Sequence, residues 1–185
     1  MPKFIWGDLP PARIKMPDQK VAEKTTLVRA TQILGEIGDN AIALNSLEME
    51  KRRMKPLFKG FNPEQITPKE LGRAGALLFQ NGFIDNLTAE LMNSAGEEFD
   101  KDGHVVNPDA PLNALEFLAE RIARMKERSL SGDPYAKALL PDYVRTVHVL
   151  KNLYAFVNSG DSPEMLKIKA LEKEGKLRKG RPMQG

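Results

Sequence analysis

Residues 71–91 read LGRAGALLFQNGFIDNLTAEL, and this stretch decides the fold class of the chain. Apolar side chains recur at helical spacing before Gln80-Asn81-Gly82 and resume directly after it. Asn and Gly both tolerate positive φ, so the pair is typical of a helix stop followed by an immediate restart. The stretch therefore predicts two helices that meet at a tight corner and pack as a hairpin. The apolar positions are Leu71, Ala74, Leu77 and Leu78 before the corner, and Phe83, Ile84, Leu87 and Leu91 after it.

The same periodicity predicts helices on both sides of this hairpin. A seven-residue rhythm over residues 21–57 predicts one long first helix, which would span roughly 50 Å. Thr67, Pro68 and Glu70 predict a capping box where the first hairpin helix begins. Further helices are predicted at residues 112–129, at residues 133–160 with an interruption or kink at Pro141, and from Ser162-Pro163 onward.

Strand signals are weak everywhere except around Val105-Val106, within a predicted turn or small hairpin at residues 97–111. An EF-hand calcium loop is excluded there, because the glycine and glutamate that such a loop needs do not fall at the required positions. His104 lies in this turn and His148 in a distant helix, so we expect no shared metal site. The fold class predicted is all-α: a five- to six-helix bundle with a long first helix, an extended N-terminal arm and a basic C-terminal tail.

Composition divides the chain into three parts. Residues 1–19 carry four prolines around Phe4-Ile5-Trp6 and predict an extended arm, which either folds back onto its own core or docks on a neighbour. Residues 20–160 form the predicted helical bundle domain, and residues 161–185 a short helix with a basic tail. The last 19 residues hold seven basic and two acidic groups, which leaves 21 basic and 23 acidic residues in the rest. Any contact with phosphates must therefore come from local groups and the tail.

Several kinds of chemistry are excluded by composition. The chain of 185 residues has no cysteine, which rules out disulfides, thiolate zinc sites and cysteine nucleophiles. It shows no apolar stretch of membrane-spanning length and no signal-peptide pattern, so we expect a cytoplasmic protein without a membrane partner. Glu116 and Glu120 share a helical face, but such pairs are common on exposed helices. We expect no enzyme activity, no metal and no cofactor, because no nucleophile-base pair or phosphate-binding glycine loop is present.

Three segments together resemble the small α-helical subunit of type III CRISPR effector complexes, the Cmr small-subunit family. They are residues 71–91, residues 112–122 (LNALEFLAERI) and residues 130–157 (LSGDPYAKALLPDYVRTVHVLKNLYAFV). In that family a long first helix leads to a helical hairpin with an Asn-Gly corner, then a Leu-x-x-x-Leu helix and a turn marked by Gly and Asp. The final helix closes on apolar-Lys-x-x-aromatic residues, as residues 149–154 do here. The arm, the turn at 97–111 and the basic tail lie outside the resemblance.

The resemblance implies a non-catalytic assembly role. Copies of the chain would stack in a filament beside the backbone subunits that carry the crRNA, and would help to hold guide and target RNA. The implied partners are crRNA and target RNA, the other CRISPR effector subunits, and copies of the chain itself. A rival interpretation is a DNA-handling or virion-assembly adaptor, whose basic tail binds duplex and whose long first helix mediates oligomer contacts.

A subunit that accommodates any RNA sequence must grip phosphates with Lys and Arg and leave base reading to guide-target pairing. Two groups of residues fit this role, and we name them the basic block and the arginine edge. The alternative is a solvated surface or, for the basic block, a complement to the negative C-terminus of a helix. The candidate RNA-binding residues are Lys51, Arg52, Arg53 and Lys55 (the basic block), Arg121, Arg124 and Arg128 (the arginine edge), and the outliers Arg73 and Arg145.

Overall fold

The computed structural model describes residues 19–95, 98–99, 105–107 and 109–175, and over these ranges the chain is a helical bundle with one short hairpin. The all-α prediction is confirmed, although the described ranges contain seven α-helices and not five or six. The helices are α1 (Gln19–Ile37), α2 (Ser46–Lys51), α3 (Pro68–Gln80), α4 (Asn86–Ser94), α5 (Ala114–Leu130), α6 (Pro134–Asn158) and α7 (Pro163–Lys173). Two 3₁₀ turns, Ala41–Ala43 and Lys55–Phe58, flank α2.

The predicted long first helix over residues 21–57 is wrong. The chain leaves α1 at Gly38, which takes a left-handed φ of 66°. The side chains of Asn40 and Asn45 then accept backbone N–H bonds and start the first 3₁₀ turn and α2. Arg53, with φ 55°, follows α2 and leads into the second 3₁₀ turn. The apolar rhythm persists across these breaks because separate short segments bury their side chains in one core, through Ala30, Leu44, Met49, Met54 and Phe58.

The predicted hairpin at the Asn-Gly corner is confirmed, and it is formed by α3 and α4. The backbone N–H of Asn81 closes α3 on the Leu77 carbonyl at 3.2 Å, and Gly82 takes a φ of 77°. The Asp85 side chain then caps α4 by accepting the Thr88 N–H at 2.8 Å. The capping box at the start of α3 is also confirmed, with Thr67 and Glu70 bonded reciprocally.

The centre of the bundle is α6, which packs against α5, α4 and the segments that follow α1. This helix is not interrupted at Pro141. Its residues 146–150 are all buried, which is typical of a helix covered on every side. Sequence spacing predicts a core line of Tyr143, Val147, Leu150 and Tyr154 along this helix. The line passes instead through Leu153 and Phe156, and Tyr154 points outward with 37% of its surface exposed.

Near the chain ends, the short helix predicted from Ser162-Pro163 is confirmed as α7, and its Met165 is buried in the bundle. A two-stranded antiparallel hairpin, β1 (Glu98–Phe99) with β2 (Val105–Val106), confirms the prediction for residues 97–111. Residues 1–18 of the predicted arm and residues 176–185 of the basic tail lie outside the described residues. No helix in the described part of the chain has the length and apolar character needed to cross a membrane.

Candidate nucleic-acid interface

Arg52 of the basic block joins α2 to the Asn-Gly corner. Its Nε donates a 2.8 Å hydrogen bond to Glu48 one helical turn earlier, and its Nη1 lies 3.4 Å from the carbonyl oxygen of Asn81. The guanidinium also lies over the Phe83 ring, 5.2 Å from its centroid. These contacts hold the guanidinium against the protein, although the residue itself is exposed.

The other three residues of the basic block face the C-terminal part of the bundle. Arg53 forms an ion pair with Glu172 of α7, and both side chains are largely buried. Lys51 lies 3.8 Å from Glu164 of α7. The ammonium of Lys55 donates to the Ser159 carbonyl at 2.9 Å, just beyond α6, and lies 5.1 Å from the Phe156 ring centroid. The basic block thus forms internal contacts that hold α7 and the end of α6 against the segments around α2.

The three residues of the arginine edge are all exposed on α5, but they differ in their contacts. Arg128 donates from Nε to Asp133 at 2.8 Å across the turn between α5 and α6. The same carboxylate caps α6 by accepting the N–H groups of Tyr135 and Ala136. The hydrogen bond from Ala136, together with Arg128, holds the pKa of Asp133 below its usual value. Arg128 is therefore occupied in fixing a turn.

Arg121 and Arg124 line a surface cleft of about 410 Å³ at the N-terminal half of α5, which we call the α5 cleft. The guanidinium of Arg121 lies over the ring of Phe117, 5.0 Å from its centroid. Arg124 makes no hydrogen bond or ion pair within the part of the chain that the structure describes. Glu116 and Glu120 line the same cleft, so its charges are balanced. The remaining lining residues are Leu112 and Asn113.

Glu120 adds an unusual feature to the α5 cleft. Its Oε1 is buried and has no hydrogen-bond partner among the described residues. A buried acceptor without a partner costs stability. The α5 cleft thus combines two cations, an aromatic ring and two carboxylates.

The two outliers have different surroundings. Arg145 on α6 donates to the α4 cap Asp85 at 2.8 Å and to Asp142 at 3.3 Å, so it is held by two carboxylates. Arg73 on α3 is exposed and lines a smaller groove of about 190 Å³ with residues of the second 3₁₀ turn. Of the nine candidate residues, only Arg121 and Arg124 share a cleft in which neither is paired with a carboxylate of the described chain.

The sequence interpretation did not include Phe117. A readable signal was present, since Phe117 precedes Arg121 by four residues and such pairs meet on one helix face. His148 is a buried histidine with its Nε2 3.3 Å from the Ile37 carbonyl oxygen. Within the described ranges, no three or more His, Asp or Glu side chains lie together in a way that would hold a metal ion.

We found no match to this chain among protein-family models, curated proteins or solved structures.

Proposed function

We propose that this chain is a non-catalytic cytoplasmic subunit of a type III CRISPR RNA-guided effector complex, which stacks beside the crRNA-carrying backbone subunits and contacts guide or target RNA through the α5 cleft. The observation that carries the proposal is the exposed guanidinium of Arg121 over the half-buried ring of Phe117, with Arg124 beside it and no competing ion pair in the described chain. The Asn-Gly hairpin and the order of the helices that follow it also agree with the resemblance, whereas the long first helix of that family is broken here at Gly38.

The α5 cleft has the groups that single-stranded RNA requires. An aromatic ring offers a stacking surface for any base, and arginine contributes both phosphate contact and cation–π attraction. Arg121 and Arg124 are three residues apart on one helix, so their Cα atoms are separated by about 4.5 Å along the axis. This geometry suits two contacts to one short backbone segment. The carboxylates of Glu116 and Glu120 oppose phosphate binding, so stable engagement depends on the other subunits of the complex.

The test is a charge reversal in the assembled complex. The chain is tagged and expressed with its genomic neighbours, and the particle is analysed by native mass spectrometry and by its content of guide-sized RNA. We expect Arg121→Glu with Arg124→Glu to leave the subunit in the particle and to lower RNA retention, because two phosphate contacts become repulsive. The control reverses Lys69 and Lys137, two exposed lysines on α3 and α6, with the same change of net charge. If the variant particle retained as much RNA as the parent particle at near-physiological salt, the proposal would be refuted.

Arg128 is left out of this reversal, because its loss would disturb the turn that Asp133 caps. A truncation of the basic tail separates the rival adaptor from the effector subunit. A cut at Gly160 would remove the buried Met165 and the partner of Arg53, so the cut belongs after Gly175. Loss of nucleic-acid binding with residues 176–185 alone, with no effect of the α5 reversal, would favour the DNA-handling or virion-assembly adaptor.

A further inference from the structure

A second cavity, of about 460 Å³, lies between the second 3₁₀ turn, the end of α6 and α7, and we call it the α7 cavity. Its apolar wall comes from Pro56, Val157 and Met165. Its charged wall carries four cations and two carboxylates, which gives it a positive balance. The volume lies within the range of roughly 300–1,000 Å³ that is typical of small-molecule sites. The charged residues are Arg53, Lys55, Lys59, Lys169, Glu50 and Asp161.

Three of the four cations act on one carboxylate, that of Asp161. The ammonium of Lys169 donates to Asp161 Oδ2 at 2.6 Å. This hydrogen bond, followed by the charges of Lys169, Lys55 and Arg53, holds the pKa of Asp161 below its usual value. The position of the Asp161 carboxylate therefore marks the point in the α7 cavity where a negative charge is stabilised.

Lys59 is the remaining cation of the α7 cavity, and its ammonium has no hydrogen bond or ion pair to the described residues. Glu50 lies at the same wall, and its carboxylate accepts the backbone N–H of Ser162 at 2.8 Å. Arg53 at the same wall forms an ion pair with Glu172 of α7, and its φ of 55° belongs to the C-terminal turn of α2, where its backbone N–H donates to the Glu50 carbonyl at 2.9 Å. The apolar wall thus lies beside a cationic wall on which the Lys59 ammonium has no charged partner among the described residues.

We propose that the α7 cavity binds a small organic anion with an apolar body, of the class of aryl or alkyl phosphate monoesters. The anionic group would contact Lys59 and Lys169, and the apolar body would lie against Pro56, Val157 and Met165. Lys169 would then exchange the Asp161 carboxylate for that of the ligand, so Asp161 competes with the ligand. The α7 cavity and the α5 cleft have no lining residue in common. The ligand proposed here can therefore be tested independently of the RNA contact proposed for the α5 cleft.

The test uses 1-naphthyl phosphate with the full-length chain, by isothermal titration calorimetry and by chemical-shift mapping. We expect 1-naphthol and inorganic phosphate each to bind at least about tenfold more weakly, because each lacks one of the two contacts. Lys59→Gln and Lys169→Gln should each weaken binding by about tenfold, through loss of a charge-assisted hydrogen bond. Asp161→Asn should strengthen it, since the competing charge is removed.

The matched control is Lys167→Gln, an exposed lysine on α7 that does not line the α7 cavity. It should leave the affinity unchanged, and the melting temperature of every variant reports whether it is folded. The proposal is overturned if 1-naphthyl phosphate does not bind at millimolar concentration, or if 1-naphthol binds as tightly. It is also overturned if Lys167→Gln weakens binding as much as Lys169→Gln, or if Asp161→Asn weakens it in a folded protein.

Discussion

Gly75 of α3 packs directly against α4, and a substitution there tests the hairpin on which the fold is built. A Cβ atom added at Gly75 would lie 3.1 Å from the Cβ of Met92 and 3.3 Å from the Ala89 carbonyl oxygen. Ordinary contact between carbon atoms is about 3.5–4.0 Å. Met92 is fully buried, and the Ala89 carbonyl belongs to the backbone of α4, so neither atom is free to move aside. Gly75→Val adds two further carbon atoms at this point.

The expected loss can be worked out with a matched control, Gly35→Val in α1. No heavy atom lies within 4 Å of a Cβ built at Gly35, so this variant reports only the change in helix propensity, a gain of a few tenths of a kcal/mol. At Gly75 the same gain is outweighed by overpacking, which costs about 1–3 kcal/mol. We therefore expect the free energy of unfolding of Gly75→Val to be lower than that of Gly35→Val by about 2 kcal/mol.

Urea unfolding followed by circular dichroism measures both variants. Gly72→Val gives an intermediate case, because the atom nearest to its added Cβ is Oδ1 of Asn93 at 2.5 Å, and this exposed side chain can rotate away. The order of stability should be Gly35→Val, then Gly72→Val, then Gly75→Val. If Gly75→Val and Gly35→Val differed by less than about 0.5 kcal/mol, α3 and α4 would not pack this closely, and the hairpin geometry described above would be refuted.

Two further predictions concern α6. The hydrogen bond from Ala136 and the charge of Arg128 lower the pKa of the Asp133 carboxyl in the folded protein. As pH falls, the carboxyl is therefore protonated at a higher pH in the unfolded chain than in the folded one. The stability that the ionised carboxylate contributes is present above a pH of about 4 and is lost as pH falls through the lower pKa of the folded state. Asp133→Asn keeps the capping oxygen but removes the charge. The difference in free energy of unfolding between this variant and the parent protein, measured in urea, should therefore shrink from pH 6 to pH 3, and an unchanged difference would contradict this account. Leu153→Ala should lower the free energy of unfolding by about 3 kcal/mol, because Leu153 is fully buried. Tyr154→Ala should lower it by less than about 1 kcal/mol. Equal losses would show that Tyr154 belongs to the core after all.

The parts of the fold that the sequence predicted well are those determined by neighbouring residues. The capping box at Thr67 and the Asn-Gly corner depend on backbone groups within a few residues, so sequence spacing is enough to identify them. The prediction of one long first helix was wrong, because an apolar periodicity shows which residues are buried and does not show that the helix between them is continuous. Gly38 and the two capping asparagines, Asn40 and Asn45, were the local signals of a break, and they outweigh a rhythm maintained by a shared core.

The candidate interface was harder to predict, because the partners of a surface cation are often distant in sequence. Arg53 pairs with Glu172 and Lys51 approaches Glu164, each more than a hundred positions away along the chain. A run of basic residues in the sequence does not show whether their side chains form internal ion pairs or a free cationic surface. The pairing of Phe117 with Arg121 is within one helix and was readable from spacing alone.

The position of α5 in the bundle strengthens the case for the α5 cleft over the basic block. Arg29 and Glu36 of α1 form ion pairs with Glu127 and Lys126 of α5, and α5 packs along α6 over its buried side chains. The helix that carries Phe117 and Arg121 is therefore fixed from two sides before any ligand arrives. A fixed helix loses little conformational entropy when RNA binds, whereas the basic block must give up internal contacts to release its cations. The charge reversal at Arg121 and Arg124 should therefore lower RNA retention at a cost of only about 1 kcal/mol in the free energy of unfolding, from the lost Phe117 contact and the new repulsion with Glu120. Reversal within the basic block should lower the free energy of unfolding further, because it breaks the ion pair of Arg53 with Glu172.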